Sequence, residues 1–243
     1  MISVVTINLN NKEGLERTIE SVVSQTHFAD IEYIIIDGGS TDGSVDVIQR
    51  YKDKIAYWCS EPDGGIFNAF NKGIEHCNGD YAIFLNSGDH FYADDVIEKV
   101  IPELDCDIVY GNEMKQKGKP LKWMNGRWYT NCKWYTPASF NQLAKYPEKL
   151  TDRWFSISAL PHQSTFICTE LLKKHPYSED WKILGDWLWF YERIILEGVS
   201  YKHIGQTISV YNLEGLSSRN QSTFQLERKE YLSKQKYHKV ATV

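Results

Sequence analysis

Hydrophobic positions in the first hundred residues follow two alternating spacings. Ile2 to Leu9 and Ile31 to Ile36 are short, largely β-branched runs, as expected of strands buried on both faces of a sheet. Between them, the apolar residues from Leu15 to Val23 recur at helical spacing, behind a cap at Asn10 or Asn11. Strands that alternate with helices through short connections form right-handed βαβ units. The pattern therefore predicts an α/β fold with a mostly parallel sheet.

The alternation continues to about residue 112 and then becomes less regular. We therefore divide one continuous domain into residues 1–112 and 113–243. The remaining predicted elements are a helix from Val45 to Tyr51, a strand from Ile55 to Cys59, an amphipathic helix from Ile66 to Cys77, a strand from Tyr81 to Leu85, a strand near Ser164 to Cys168, a helix from Asp180 to Leu196, an extended run from Tyr201 to Tyr211 and a helical tail from Phe224.

Composition and charge narrow the range of functions. The net charge of -5 argues against a general nucleic-acid binder, which is usually basic. The five cysteines are odd in number and form no CxxC pair, so neither a zinc site nor a disulfide framework is indicated. No stretch of eighteen apolar residues and no leader-like N-terminus is present. We expect a cytoplasmic protein, and any membrane contact would be peripheral, at the inner face of the membrane.

Small polar and acidic side chains follow the predicted strands. In an open parallel sheet, ligands bind at the carboxyl ends of the strands. Hydroxyl and amide groups suit the edges of a base and a ribose, and one carboxylate can hold Mg²⁺ or Mn²⁺ when a diphosphate completes the shell. Taken singly, Asp37 and Asp89 are more simply explained as turn or capping residues. The candidates at these ends are Thr6, Asn8, Asp37, Asn86, Ser87 and Asp89.

Five blocks of sequence give these residues a specific order and spacing. The blocks are VVTINLNN at 4–11, SQT at 24–26, YIIIDGGSTDGS at 33–44, EPDGGIFNAFNKG at 61–73 and GDYAIFLNSGD at 79–89. Together they resemble the family 2 glycosyltransferases, which have the nucleotide-binding GT-A fold. Beyond residue 112 the resemblance thins to PHQSTF at 161–166, GDW at 185–187 and GLSS at 215–218. These later pieces are similar to the colanic-acid-type branch that decorates bacterial surface polysaccharides.

The resemblance implies a Rossmann-like, mostly parallel central sheet with a C-terminal extension on the acceptor side. Residues 1–112 would bind a nucleotide sugar, and 113–243 would form the acceptor side and a helical tail. The implied reaction is inverting transfer of a sugar from a nucleotide diphosphate sugar, with UDP favoured, to a hydroxyl of a glycan or lipid-linked acceptor. A non-catalytic nucleotide-sugar-binding protein descended from a transferase stays open as the alternative.

The resemblance also implies roles for individual residues. The segment from Asn86 to Asp89 stands in place of the family's Asp-x-Asp segment, but Asn86 and Gly88 stand where many relatives carry acids. Asp89 is therefore the expected ligand of Mg²⁺ or Mn²⁺, with Asn86 and Ser87 beside the donor. The other expected donor contacts are Thr6, Asn8 and Asp37 at the base and Asp63 and Lys72 along the donor site.

Asp186 is the candidate catalytic base. It matches the acid that relatives place at the start of a helix facing the acceptor, and it would take the proton of the attacking hydroxyl. Without the resemblance, a helix-surface Asp flanked by core Trp residues is the simpler interpretation. His162 and Gln163 could contact acceptor or donor hydroxyls, and Arg219 could approach the diphosphate. Each of these three is equally compatible with an ordinary interior or loop position.

The stretch from Lys115 to Thr136 holds six basic residues, no acidic ones and several Trp and Tyr residues. Three interpretations stay open: a solvated hairpin with inward-packed aromatics, a nucleic-acid surface, which the acidic whole disfavours, or a surface that rests on an anionic membrane. Two other enzyme classes are excluded by the residues after the first strand. No Gly-rich, Arg-bearing phosphate loop of a nucleotidylyltransferase follows it, and no GxGxxG of an oxidoreductase.

Overall fold

The computed structural model describes residues 1–116, 122–124, 127–129, 141–213 and 221–241, with side chains in 1–116, 142–213 and 222–234. The first half alternates strands and helices as its hydrophobic spacing predicts. Four strands, in the order β3-β2-β1-β4, pair in parallel. The elements are β1 (Ile2–Asn8), α1 (Lys12–Val23), β2 (Ile31–Asp37), α2 (Ser44–Arg50), β3 (Tyr57–Ser60), α3 (Ile66–Glu75) and β4 (Tyr81–Phe84).

The parallel sheet is covered on both faces. Val5 and Ile7 point into a core shared with α3, whereas Val4 points into a second core shared with α1 and α2. Helix α3 approaches β1 so closely that a Cβ at Gly73 would lie 2.5 Å from Val5 Cγ1. Helix α1 begins at the predicted cap, because the Asn11 side chain accepts a hydrogen bond from the Gly14 N–H at 3.2 Å. This packing brings the ends of β1, β2 and β3 to one edge.

Beyond β4 the same sheet takes in strands of both directions and continues β4-β10-β6-β11-β5. Strand β10 is antiparallel to β4 and β6, β11 is parallel to β6 and antiparallel to β5, and β9 pairs antiparallel with β6. The elements are β5 (His90–Phe91), α4 (Val96–Val100), β6 (Ile108–Gln116), β7 (Lys122–Met124), β8 (Arg127–Tyr129), β9 (Asn141–Ala144), α5 (Asp152–Phe155), β10 (Thr165–Cys168), α6 (Thr169–Lys174), α7 (Gly185–Tyr191), β11 (Tyr201–Asn212) and α8 (Gln221–Ala241).

The predicted α/β fold is confirmed, and the sheet is mixed beyond β4. The antiparallel insertion of β10 decides where the two halves meet. Ile167 and Cys168 pair with Ala82 and Tyr81, so the start of β10 lies beside the end of β4. The turn that precedes β10 is therefore placed against the segment that follows β4.

Helix α7 begins five residues later than the helix that the sequence pattern predicts from Asp180. Its first residue, Gly185, lies against Phe67, and a Cβ there would come within 2.6 Å of that ring. The three backbone N–H groups that precede it, from Lys182 to Leu184, donate to the carboxylate of Glu227 on α8 at 2.9 to 3.1 Å. A side chain from the C-terminal helix thus fixes the start of α7, which no local pattern could indicate.

The basic aromatic stretch 115–136 is described only in part. Within it, β7 and β8 pair antiparallel. Its side chains from Lys117 onward lie outside the described residues, and so does Arg219. Within the described part of the chain, no helix is both long enough and apolar enough to cross a membrane.

Candidate active site

Polar side chains at the ends of β1, β2 and β3 form one hydrogen-bonded cluster. The parallel register places Asn8, Asp37 and Ser60 side by side. The buried Asp37 carboxylate accepts hydrogen bonds from Asn8 Nδ2 at 2.6 Å, Ser60 Oγ at 2.6 Å, Ser40 Oγ at 2.6 Å and Ser40 N at 2.8 Å. Four bonds fill the usual acceptor capacity of a carboxylate. Asp37 therefore organises the loop that follows β2.

The hydrogen bonds to the Asp37 carboxylate also lower its pKa. Burial acts to raise this pKa, but the hydrogen bonds from Ser40, Ser60 and Asn8 together outweigh burial and hold the pKa below its ordinary value. The carbonyl oxygen of the Asn8 side chain is buried and has no hydrogen-bond partner among the described residues. The cluster thus leaves one buried acceptor, Asn8 Oδ1, without a described partner near the strand ends.

Thr6 lies two residues further into the sheet than Asn8. Its side chain is fully buried, and its hydroxyl is within hydrogen-bond distance of the Leu85 carbonyl at 2.8 Å and of Tyr33 Oη at 3.1 Å. The structure places this hydroxyl inside the protein, so it joins three strands and does not reach the strand-end edge. This differs from the predicted base contact, because strand alternation turns a residue inward without revealing how deep it lies.

Asp63 and Lys72, the two residues expected along the donor site, have different surroundings. Asp63 accepts a hydrogen bond from Gly65 N at 2.9 Å, and its Oδ2 lies over Gly38, where an added Cβ would come within 2.8 Å. Asp63 therefore lies beside the loop after β2. Lys72 instead pairs with Glu61, with Nζ 2.6 Å from Oε1.

The segment after β4 is fixed from both sides. Ser87 N donates to the Ile7 carbonyl at 3.0 Å, and the Asp89 carbonyl accepts from the Thr18 hydroxyl at 2.6 Å. Asp89 Oδ1 accepts from Asn212 N at 2.8 Å, which ties this segment to the end of β11. Burial raises the pKa of Asp89 to about 7, although the hydrogen bond from Asn212 lowers it.

Asp89 could bind a hard cation only if a bound substrate supplied further ligands. The part of the chain that the structure describes contains no group of three or more His, Cys, Asp or Glu side chains able to hold a metal ion. Mg²⁺ and Mn²⁺ accept such a sparse protein shell when phosphate oxygens supply further ligands. The metal ligands that the protein supplies therefore suit a cation bound together with a diphosphate, and not a preformed metal centre.

A chain of hydrogen bonds joins the predicted base to the segment after β4. On the first turn of α7, Asp186 Oδ2 lies 3.1 Å from His162 Nδ1, and His162 Nε2 lies 3.0 Å from Asn86 Nδ2. Since an amide nitrogen can only donate, His162 Nε2 accepts and Nδ1–H donates to Asp186. Asp186 Oδ1 also accepts from Trp187 N at 2.6 Å. The antiparallel entry of β10 makes this contact possible by placing His162 beside Asn86.

A cleft of about 360 Å³ opens beside Asp186 and His162. Its floor carries a second carboxylate, Glu113 on β6, which accepts from Gln163 Nε2 at 2.5 Å and from Tyr146 Oη at 2.6 Å. Gln163 was a predicted contact residue, whereas the sequence pattern gave no sign of Glu113. The other described lining residues are Lys115, Ala144, Lys145, Trp154, Ser158, Ala159, Leu160, Pro161, Ile183, Tyr211 and Phe224.

Comparison with known proteins decides the family. A family model described as glycosyl transferase family 2 matches residues 3–165. The chain belongs to glycosyltransferase family 2. The match covers the whole parallel half of the sheet and extends through the turn that carries His162 and Gln163.

Two relatives of this family 2 chain are similar in sequence over part of their lengths. An uncharacterized glycosyltransferase of Mycobacterium tuberculosis (strain ATCC 25618 / H37Rv) is 45% identical over 103 residues, which are 42% of this chain and 39% of that protein. A putative teichuronic acid biosynthesis glycosyltransferase of Bacillus subtilis (strain 168), TuaG, is 33% identical over 128 residues, 50% of each. The chain spans half or less of the length of these two relatives.

Solved structures of transferases share the fold of this family 2 chain. S. aureus TarS 1–349 in complex with UDP-GlcNAc matches with a TM-score of 0.65 and 18% identity, over 90% of this chain and 60% of that one. Mannosyltransferase PcManGT from Pyrobaculum calidifontis, in complex with GDP-Man and Mn²⁺, matches with a TM-score of 0.61 and 14% identity, over 86% of this chain and 56% of that one. The predicted family and the predicted GT-A architecture are confirmed; the roles of the individual site residues stay predictions.

Proposed function

We propose that the protein is an inverting, metal-dependent glycosyltransferase of bacterial polysaccharide biosynthesis. It would move a sugar from a UDP-sugar to a hydroxyl of a glycan or lipid-linked acceptor. The observation that carries this proposal is the hydrogen-bonded chain from Asp186 through His162 to Asn86. This chain joins a carboxylate that lines an open cleft to the segment that bears Asp89.

The donor side of the proposal rests on the strand-end cluster. Asn8 Oδ1 is a buried acceptor without a described partner, and it suits an N–H on the edge of a base. Asp63 beside Gly38 adds a carboxylate near the same loop. TarS binds UDP-GlcNAc and PcManGT binds GDP-Man with this fold, which supports a nucleotide diphosphate sugar as donor.

Asp89 would hold the divalent metal together with donor phosphate oxygens. The metal would supply a positive charge that stabilises the diphosphate as it leaves. PcManGT is in complex with both GDP-Man and Mn²⁺, which supports metal use by this fold. The bond from Asn212 to Asp89 Oδ1 would keep the carboxylate in place at the end of β11.

Asp186 would act as the general base of the transfer. Its carboxylate takes the proton of the acceptor hydroxyl while that oxygen forms a bond to the anomeric carbon, and the bond from that carbon to the diphosphate oxygen breaks. Direct displacement from the opposite side inverts the anomeric configuration. His162 Nδ1–H holds Asp186 Oδ2 in one orientation, since the ring is itself fixed by Asn86.

A lipid-linked acceptor would be met at the inner face of the membrane. The basic aromatic residues of 115–136 carry the charge and the rings that favour an anionic surface. Co-sedimentation with vesicles that contain anionic lipid at low salt tests this part of the proposal. Failure to co-sediment contradicts membrane contact but does not contradict the proposed transfer reaction.

A panel of nucleotide sugars tests the central proposal. The protein is incubated with UDP-, GDP- and dTDP-sugars in the presence of Mn²⁺, Mg²⁺ or excess chelator, and thermal stability and donor hydrolysis are measured. We expect a UDP-sugar to raise the melting temperature and to be hydrolysed slowly, with both effects lost on chelation. Stabilisation without hydrolysis or transfer supports the non-catalytic binder instead, and no effect from any donor contradicts both functions.

A further inference from the structure

Glu113 is a buried carboxylate that has no part in the transfer step described above. Its side chain is 2% exposed, yet it lines the cleft next to Asp186. It lies mid-sheet, on β6, where the register pairs it with Ala144 of β9 and Ser209 of β11. A carboxylate at such a position is costly to bury unless polar partners satisfy it.

Those partners aim the Glu113 carboxylate into the cleft. Tyr146 donates to Oε1 at 2.6 Å and Gln163 to Oε2 at 2.5 Å, while Lys115 Nζ lies 3.5 Å from Oε1. A carboxylate has about four acceptor sites, so the two short bonds leave each oxygen further capacity. Tyr146 is held in turn, because its N–H donates to Asn112 Oδ1 at 3.2 Å. Fixed donors on two sides make Glu113 a preorganised acceptor.

The rest of the cleft matches a sugar ring. Trp154 is half-buried in the cleft wall, at an edge-on angle of 73° to Tyr146. Leu160 and Pro161 add apolar surface, and Gln163 adds an amide. An aromatic face with a few convergent polar groups suits a ligand that has apolar C–H faces and hydroxyl edges.

We propose that Glu113 selects the acceptor: it accepts hydrogen bonds from the hydroxyls of a neutral pyranose ring that lies against Trp154. This inference rests on the transferase function proposed above and names the class of its acceptor. A carboxylate or a phosphate placed against Glu113 itself is disfavoured, because it would meet a like charge there and would offer no hydroxyl to donate, although Lys115 and Lys145 also line the cleft.

Ligand-observed NMR with simple glycosides tests the proposal. The neutral probes are methyl glucopyranoside, methyl galactopyranoside and methyl mannopyranoside. The charged probes are the methyl glycosides of glucuronic acid and galacturonic acid, with the carboxylate free. Each is added in millimolar excess over the protein, with UDP and Mn²⁺ present. We expect the wild-type protein to bind at least one neutral glycoside and to reject its uronide. Equal binding of the uronides, or no binding of any neutral glycoside, overturns the proposal.

Glu113→Gln removes the charge and keeps the size of the side chain. We expect the preference for neutral glycoside over uronide to fall about tenfold or more, since a hydrogen bond to a charged group is lost with the repulsion. Glu148→Gln, at an exposed position outside the cleft lining, is the matched control and keeps the wild-type preference. An unchanged preference in Glu113→Gln contradicts the proposal.

The exchange variant Glu113→Gln/Gln163→Glu is the control for misfolding. It keeps one carboxylate and one amide in contact, so we expect near wild-type melting but an altered glycoside preference. If the exchange keeps the wild-type order of affinity among the three neutral glycosides, the position of the carboxylate does not select the hydroxyls and the proposal fails. UDP binding measured on the same samples separates the two proposals. Absence of UDP binding by the wild-type protein contradicts the transferase function, whereas UDP binding without binding of any neutral glycoside contradicts only the acceptor assignment.

Discussion

The donor side and the acceptor side of the site satisfy their polar groups in different ways. On the donor side, Asn8, Asp37 and Ser60 end three neighbouring parallel strands, and their contacts follow directly from the strand register. On the acceptor side, Glu113 and Gln163 lie fifty positions apart in sequence and meet only because β10 enters the sheet antiparallel to β6. The contacts of these strand-end residues thus follow from the parallel order of β1 to β3, whereas the contact of Glu113 with Gln163 depends on the antiparallel entry of β10.

The two sides also differ in how far their polar groups are already occupied by the protein. Most of the acceptor capacity of the donor-side cluster is used within the protein, which fixes the loop after β2. Asp186 on the acceptor side remains 22% exposed at an open cleft. The hydrogen bonds through His162 cross from one side to the other. We therefore expect substitutions on the donor side to affect folding and donor affinity, and substitutions on the acceptor side to affect turnover.

The largest expected effect is on the acceptor side, in Asp186→Asn. Loss of a general base should lower kcat by about 10²- to 10⁴-fold, while the donor dissociation constant changes little. Steady-state kinetics and calorimetric titration with the donor measure the two quantities. Asp180→Asn, an exposed Asp that precedes α7, is the matched control and should retain wild-type kinetics. Loss of donor affinity in Asp186→Asn with unchanged kcat would move this residue out of the assigned role.

The next effect is on the donor side, in Asp37→Ala. Four donor groups that bind the buried carboxylate would lose their acceptor, which should lower the free energy of unfolding by about 2–4 kcal/mol. Asp46→Ala on α2 is exposed and should cost less than about 0.5 kcal/mol. Urea denaturation compares the two variants with the wild type.

The Asp37 contribution should also depend on pH in a defined direction. Its pKa is lower in the folded chain than its ordinary value, so the stabilisation is fully present above that value of 3.8 and is lost as pH falls through the folded pKa. The stability difference between wild type and Asp37→Ala should therefore shrink below about pH 4. A difference that is constant from pH 7 to pH 3 would contradict this account of the cluster.

A smaller effect is expected where the two sides meet. His162→Ala should lower kcat about tenfold, because Asp186 loses one fixed partner, and should have much less effect in the Asp186→Asn background. A double-mutant cycle on kcat measures this coupling. His27→Ala is the control, since His27 is exposed and its ring pairs with Asp30. Independent, additive losses would show that His162 does not act through Asp186.

The smallest effect is a pH dependence opposite to that of Asp37. The folded-state pKa of Asp89 is raised to about 7, so the folded chain holds a proton that the unfolded chain releases between about pH 4 and 7. Stability from this group therefore falls as pH rises through that range. In excess chelator, Asp89→Asn should raise the melting temperature by about 2–4 °C at pH 8 and by less at pH 5. If Asp89→Asn changes the melting temperature by the same amount at pH 8 and pH 5, this account of a buried, ionising Asp89 is contradicted.

The sequence predicts the donor side well because its signals are local. Strand periodicity, the Asn11 cap and the parallel order of β1 and β2 together place Asn8 beside Asp37. Thr6 shows the limit of that inference, because a polar residue two positions before a strand end looks the same in sequence whether it is at the edge or inside. No alternation rule reveals its bonds to Tyr33 and Leu85.

The acceptor side could be predicted only in part. Motif context pointed to Asp186, His162 and Gln163, which the structure brings to one cleft. It did not point to Glu113, because a lone Glu in a strand carries no spacing signal and its partners lie far along the chain. For the same reason the sequence pattern predicts too early a start for α7, since Glu227 of α8 fixes that start.

The most direct test is a crystal structure of Asp186→Asn with a UDP-sugar and Mn²⁺. The inactive variant should keep the donor intact in the crystal. We predict that the base lies at Asn8, that Mn²⁺ contacts both Asp89 and the diphosphate, and that the anomeric carbon faces residue 186 across the cleft. A donor bound elsewhere, or an anomeric carbon turned away from residue 186, would contradict the account.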